Sequence, residues 1–215
     1  MSPFPLIISS PSGGGKTTIT KLLLERRKDV GYSVSCTTRP PRGNESNGRD
    51  YFFVTQAEFA TKRQRGEFAE CAEVHGNSYG TLRSEVERVL SLNRHVLMDI
   101  DVQGARQFHA AYPESVMVFL LPPSAERLMQ RLTMRQTESA DEFRTRLRAA
   151  REELRAAVSY QYAVENDDLE SAYRRVSSII DAEAVRHARQ PHLTARVTAL
   201  VEELDRQLFQ LTTPA

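Results

Sequence analysis

The sequence predicts an α/β fold: a P-loop parallel sheet core flanked by helices, with an inserted mixed or antiparallel β subdomain and an arginine-dense helical segment. Three observations lead there. Short apolar runs of strand length recur at residues 6–8, 32–35, 95–100, 116–121 and 162–164. Most are separated by helical stretches, the pattern of a parallel sheet joined by crossover helices. The first run stops at a glycine cluster, and a helical pattern opens directly behind it.

Leu6-Ile7-Ile8 is the first strand. It leads into Ser9-Ser10-Pro11-Ser12-Gly13-Gly14-Gly15-Lys16-Thr17-Thr18, and a helix is expected over 17–27. The glycines admit positive φ and let successive backbone N–H groups approach an anion. The helix start adds unpaired N–H donors and the positive end of its dipole. Lys16 reaches the β- and γ-phosphates of a nucleoside triphosphate, and the Thr17 hydroxyl sits on Mg²⁺. Against the GxxxxGK[ST] pattern there is one departure: Ser10 stands at the first glycine position, so a side chain must fit where none is usual.

Residues 36–88 break the alternation, with Phe52-Phe53-Val54 and the run 68–74 suggesting a small antiparallel β insertion. The strand at 95–100 ends beside Asp99 and Asp101, where ligands of open α/β sheets gather. After Pro122-Pro123 the chain turns helical and arginine-dense over 124–160. There Phe143, Leu147, Ala150, Leu154 and Val158 are spaced to form one apolar face. A final amphipathic helix carries Leu193, Val197, Leu200, Val201, Leu204 and Leu208. Its polar residues Arg196, Glu202, Glu203 and Arg206 point to a surface element packed through its apolar side.

Composition narrows the function. The 215 residues suffice for one sizeable core, and 40% hydrophobic with 27% charged residues is ordinary for a globular protein. A formal net charge of +1 supplies no global field for gripping nucleic acid or an anionic membrane, so neither is expected as a partner. No apolar stretch approaches the roughly 20 residues needed to span a bilayer. The N-terminus lacks a basic n-region and is not read as a signal peptide. Cys36 and Cys71 are too few for a disulfide framework, and are read as reduced thiols in a cytoplasm.

A second anion site is expected in the segment 33–51. Ser35, Arg39, Arg42 and Tyr51 offer hydroxyls and guanidinium forks suited to a phosphate monoester. The prolines of Arg39-Pro40-Pro41-Arg42 restrain the backbone between the two arginines. Glu70, Tyr79, Thr81 and Asp101 are candidates for a nucleobase pocket. A carboxylate accepts the N1–H and N2–H₂ of guanine, a pair of donors that adenine lacks, and buried polar groups of this kind reject the wrong base.

Taken together, SPSGGGKTT, SVSCTTRPPRGNESNGRDYFFV, GNSYGT, LMDIDVQG, FLLPPS, Arg131 with Arg135, RTRL at 144–147 and NDDL at 166–169 resemble guanylate kinase in order and spacing. The resemblance covers roughly residues 5–185 and leaves most of the last helix outside. It implies that the arginine-dense helical segment is a helical lid. It implies transfer of the ATP γ-phosphoryl group to GMP, and to dGMP, with Mg²⁺ as cofactor. It implies that Ser35, Arg39, Arg42, Tyr51 and Tyr79 hold the GMP phosphate, and that Glu70, Thr81 and Asp101 read guanine. Asp99 would orient the acceptor phosphate or contact the metal through water. Ser10 to Thr18 would cradle ATP, with Thr17 on the metal and Asn166 on the adenine side. Lys16, Arg39, Arg131, Arg135 and Arg146 would carry the catalytic charge, the last three from the lid. Arg148, Arg151 and Arg155 are read as a solvated helix face.

The expected organisation is one domain over 1–215. Its core comprises 1–34, 89–123 and 160–190, with a GMP-binding insertion at 35–88, a lid at 124–159 and a helical extension at 191–215. A kinase of another small acceptor and a non-catalytic scaffold module are the competing readings. The first would lack the guanine-reading set, and the second would have lost Lys16, Thr17 and the lid arginines. Monomer and homo-oligomer both stay open.

Two anionic substrates must be brought together with little covalent help, so charge neutralisation carries the chemistry. Arg135→Ala is expected to lower kcat on the order of 10²–10³-fold with a much smaller rise in KM for GMP. Steady-state kinetics with an unchanged kcat would remove Arg135 from this role.

Overall fold

The computed structural model describes residues 2–74, 76–133 and 140–212. In chain order the core opens with β1 (Pro5–Ser9), α1 (Lys16–Arg26) and β2 (Val30–Tyr32). The insertion follows as β3 (Cys36–Thr37), β4 (Phe52–Phe53), α2 (Gln56–Gln64), β5 (Phe68–Val74) and β6 (Asn77–Leu82). The core resumes with α3 (Arg83–Ser91), β7 (His95–Met98), α4 (Val102–Ala111) and β8 (Val116–Leu121). Two helices, α5 (Ala125–Thr133) and α6 (Ala140–Ala156), precede β9 (Tyr162–Glu165), α7 (Leu169–Ala184) and α8 (Leu193–Thr212).

The core sheet has the order β2-β7-β1-β8-β9, with every adjacent pair parallel. Strand β1 lies at its centre, and all five of its residues are buried. The period of two explains why this strand reads as continuously apolar. Leu6 and Ile8 face Ile19 and Leu23 of α1 and Val176 and Ile180 of α7. Ile7 faces the other way, into a cluster with Val86 and Val89 of α3 and Ala105 and Phe108 of α4. The next strand repeats the alternation, with Val118 and Leu120 on the first face and Met117 and Phe119 on the second.

The insertion is a four-stranded sheet of order β4-β3-β6-β5. It is mixed: β3 pairs parallel with β4 and antiparallel with β6, which pairs antiparallel with β5. Helix α2 starts on a capping box, where Thr55 and Glu58 satisfy each other's backbone N–H.

Three expectations shift. The strand expected over 32–35 splits, because the Val34 N–H donates to the buried Glu85 carboxylate (3.1 Å) and leaves the core ladder. The chain is thereby handed to the second sheet, where the Ser35 carbonyl accepts from Phe52 N–H. The strand expected over 95–100 stops at Met98, because the Ile100 carbonyl turns to accept from Ser9 Oγ (2.8 Å) and Lys16 Nζ (3.4 Å). Between α5 and α6, Phe143, Leu147, Ala150 and Leu154 do join Leu128 and Leu132 in a small core. Val158 does not: it falls in a 3₁₀ turn beyond α6 and is 93% exposed.

Helix α8 forms, but not as the packed surface element expected from its amphipathic pattern. Its apolar residues Val197, Leu200, Val201 and Leu204 are exposed, and no other described element packs along it.

Leu23→Ala removes a fully buried side chain between α1 and the sheet and is expected to cost about 2–5 kcal/mol in denaturant unfolding. Val158→Ala is expected to stay within about 0.5 kcal/mol of wild type, which a loss as large as that of Leu23→Ala would contradict.

Candidate functional site

The loop between β1 and α1 is shaped by three consecutive glycines with different tasks. Gly13 and Gly15 lie at φ 79° and 91°, the left-handed region that glycine adopts without steric cost. Gly14 N–H donates to the Pro11 carbonyl (2.8 Å), closing the turn. Gly15 is the N-cap of α1, which has no side-chain cap and no acidic residue in its first turn. Its opening N–H groups and dipole are thus left for an anion. Thr17 and Thr18 present exposed hydroxyls at the same end. The loop lines a cleft of about 690 Å³, the size of a small-molecule site.

Ser10 fits the loop because Gly14 lacks a side chain. A Cβ on Gly14 would stand 2.7 Å from Ser10 Cβ and 2.9 Å from the Pro11 carbonyl oxygen. Ser10 is buried, and its hydroxyl donates to that same carbonyl (3.1 Å). The departure from pattern at the first position is therefore matched by a glycine four residues on.

Residues far along the chain hold this loop. Asn166, just past β9, donates from Nδ2 to the Gly14 carbonyl (2.8 Å), and its own backbone N–H donates to Leu121 O (2.8 Å). Arg131 on α5 donates from Nη2 to the Asn166 carbonyl (3.1 Å). Its Nη1 is buried without a protein partner and lines the loop side of the cleft with the rest of the residue. A buried guanidinium donor left unpaired beside an anion loop is costly unless a ligand completes it. From α6, Arg146 Nη2 donates to Ser12 Oγ (3.3 Å), and Glu153 Oε2 accepts the Ser12 N–H (3.0 Å). Arg135 lies outside the described residues. Arg151 and Arg155 pair with Glu152 on the exposed face of α6, and Arg148 is exposed.

The insertion presents a second cationic centre. Arg39 is buried, and both of its terminal nitrogens donate to Glu45 at 2.9 Å. Its guanidinium lies 5.2 Å from the Tyr51 ring centre, and Tyr51 meets Tyr79 edge-on at 6.1 Å. The hydrogen bonds that the guanidinium donates to Glu45, with a further one to Tyr79, hold its proton more tightly than usual. Ser35 is half-buried nearby in sequence at the start of β3, and Arg42 is exposed, with its backbone N–H on Glu45 (2.8 Å).

Four further carboxylates or hydroxyls come from β5, β6 and the turn between β7 and α4. Glu70 on β5 and Thr81 on β6 are register partners, both buried, and the Thr81 hydroxyl donates to Glu70 Oε1 (2.7 Å). The other carboxylate oxygen fits against α4 because residue 104 is glycine: a Cβ there would approach Glu70 Oε2 to 2.7 Å. Burial pushes the Glu70 carboxyl up to about 7, with Asp101 adding to the rise and Thr81 opposing it. Asp101 caps α4, its Oδ1 accepting from the N–H groups of Gln103 and Gly104 (2.8 Å each), and it also lines the loop cleft. Asp99 accepts from the Tyr32 hydroxyl at 2.6 Å, and burial, with Asp99 adding, raises the Tyr32 phenol well above its ordinary range.

Sequence reasoning missed Tyr32, Glu45, Gly104 and Glu153. Glu153 had a usable signal, since it lies seven residues after Arg146 and so on the same helical face. The others had none, because each acts through a contact that only the folded sheets create.

Known proteins give the same arrangement a context. A family model described as guanylate kinase matches residues 2–183. The chain is 46% identical over 184 residues to a guanylate kinase of Nitrosomonas europaea, covering 86% of this chain and 92% of that one. It is 46% identical over 200 residues to that of Brucella melitensis, covering 92% and 91%. A solved guanylate kinase from Anaplasma phagocytophilum superposes with a TM-score of 0.76 at 36% identity, covering 91% of this chain and 94% of that one.

The Ser10–Gly14 fit yields a test. Gly14→Ala is expected to lower kcat/KM for ATP about tenfold, the effect of a clash costing about 1.4 kcal/mol. Adding Ser10→Gly to it should recover part of the loss, because the contact with the Pro11 carbonyl remains. A double variant no better than Gly14→Ala alone would show that the two positions are independent.

Proposed function

The chain belongs to the guanylate kinase family and catalyses ATP-dependent phosphorylation of GMP to GDP, and we propose that it does so at the cleft between the glycine loop and the insertion. The observation that carries this assignment is the buried Glu70–Thr81 pair set beside Asp101, which itself borders the loop. That juxtaposition supports reading Glu70 as the guanine-reading carboxylate, with Asp101 linking it to the triphosphate loop.

In this reading Ser10 to Thr18 cradle the ATP phosphates, and Asn166 keeps the loop in shape from beside the adenine. Ser35, Arg39, Arg42, Tyr51 and Tyr79 take the GMP phosphate. Glu70 and Asp101 accept from the guanine N1–H and N2–H₂, and the Thr81 hydroxyl turns to O6. Lys16 bridges the two phosphates, while Arg131, Arg135 and Arg146 close over the transferring group and help to exclude water. The GMP phosphate is already an oxyanion at neutral pH, so the residues neutralise and align rather than abstract a proton.

Mg²⁺ fits this donor set. The exposed Thr17 hydroxyl at the start of α1 is a hard oxygen ligand next to the phosphate loop, and Asp99 stands ready to orient its water shell. When bound, Mg²⁺ draws charge from the β- and γ-phosphoryl oxygens. dGMP is accepted with GMP, since none of the assigned groups is reserved for the ribose 2′-hydroxyl. A cytoplasmic setting suits Cys36 and Cys71, both free thiols.

A coupled assay of ADP formation with ATP and GMP, dGMP, AMP, dTMP or ribose 5-phosphate tests the assignment. Turnover with the guanine nucleotides only is expected, and equal turnover with AMP would remove the base-reading role. Glu70 adds a pH signature. Its carboxyl titrates near 7 in the free protein but must be ionised to accept from guanine, so GMP binding expels a proton. The GMP dissociation constant should rise about tenfold from pH 8 to pH 6 beyond the contribution of the GMP phosphate itself. Calorimetry on Glu70→Gln, which cannot ionise, should show weaker GMP binding without this excess, and unaltered ATP binding.

A further inference from the structure

Helix α8 runs for 20 residues, about 30 Å at 1.5 Å per residue. It lies beyond the family match, which ends at residue 183. Val197 is 49% exposed, Leu200 53%, Val201 50% and Leu204 61%. No other described element packs along the helix, so this stripe faces water over several turns. Helices in proteins draw most of their stability from packing an amphipathic face, and a continuous exposed apolar stripe marks a surface for interaction.

The spacing says what shape covers it. Leu193, Val197, Leu200 and Leu204 fall at intervals of four, three and four, the a/d seam of a two-helix coiled coil. The flanking charges say which helix. Seam position 197 follows Arg196, and seam position 204 follows Glu203, so both flanking sites are of the g type and carry opposite charge. In a parallel pair, g faces e, which would set Arg196 against Val201 and Glu203 against Leu208. In an antiparallel pair, g faces g. Layering Val197 on Leu200 and Leu193 on Leu204 of a second copy then brings Arg196 beside Glu203, twice by symmetry. The seam is complementary to itself under a two-fold axis, which closes the assembly at two chains.

We propose that α8 is a homodimerisation element, in which two copies of this chain pair their α8 helices antiparallel through the 193–197–200–204 seam. The four layers are few beside a standard interface, so the dimer forms in a concentration-dependent way. The cleft and its residues lie elsewhere in the fold, so dimerisation and phosphoryl transfer are separable.

Sedimentation velocity on the full chain, from low micromolar to sub-millimolar, tests the pairing. A monomer–dimer equilibrium is expected. Arg196→Glu turns two attractive contacts into two repulsive ones and should weaken it about tenfold, as should Glu203→Arg. Together the two reversals should bring the dimer back to within a few-fold of wild type. Val197→Ser with Leu204→Ser should give monomer with kcat for GMP unchanged. A chain that stays monomeric throughout, a dimer that survives the seam substitutions, or a double reversal that recovers nothing overturns the proposal. The charge reversals leave the seam intact, so they decide the matter even where the serine variant loses helix α8.

Discussion

The structure turns on keeping a stretch of backbone N–H groups unpaired and aimed in one direction. A helix start at the centre of the sheet, behind glycines at positive φ, is not a conformation the chain adopts for its own sake. It persists because distant elements use up the carbonyls around it and leave the N–H groups alone. Asn166 from β9 takes the Gly14 carbonyl, and Ser9 and Lys16 share that of Ile100 beyond β7. The parallel topology makes this possible, because β7, β1, β8 and β9 all end at the same edge. Strand direction, rather than any one side chain, is what assembles the loop.

The same logic couples size to position within the loop. A side chain at residue 14 would collide both with that of Ser10 and with the Pro11 carbonyl, so the glycine there leaves the space that Ser10 fills. Gly104 plays the equivalent part for Glu70, giving a buried carboxylate room at the start of α4. Both glycines have ordinary backbone angles and are needed for the space they leave.

The core was legible in the sequence because buried parallel strands read as unbroken apolar runs and the loop carries its own motif. The chemistry at residues 39, 51, 70, 79, 81 and 101 was legible as residue types, and the fold brings Arg39 to Tyr51, Tyr51 to Tyr79, and Glu70 to Thr81. Partnerships across the chain were not. Tyr32 reaching Asp99 spans 67 positions, and nothing local to either residue signals it. Strand ends were misjudged where a side chain, Glu85 at Val34 or Ser9 at Ile100, captured a backbone group that the sheet would otherwise have used. Helix α8 shows the opposite failure: its period was plain, but periodicity tells that an apolar face exists and not whether its own chain covers it.

Two carboxylates act before any nucleotide arrives. Glu45 fills both prongs of Arg39, and Glu153 sits on the Ser12 amide. The Arg39 fork and the Ser12 amide thus already have an anion from their own chain. A phosphate arriving at either would exchange one oxyanion for another. Such an exchange releases few counterions, so salt acts only weakly on it. It also lets a chain of net charge +1 concentrate arginines in one cleft without attracting every polyanion in its surroundings.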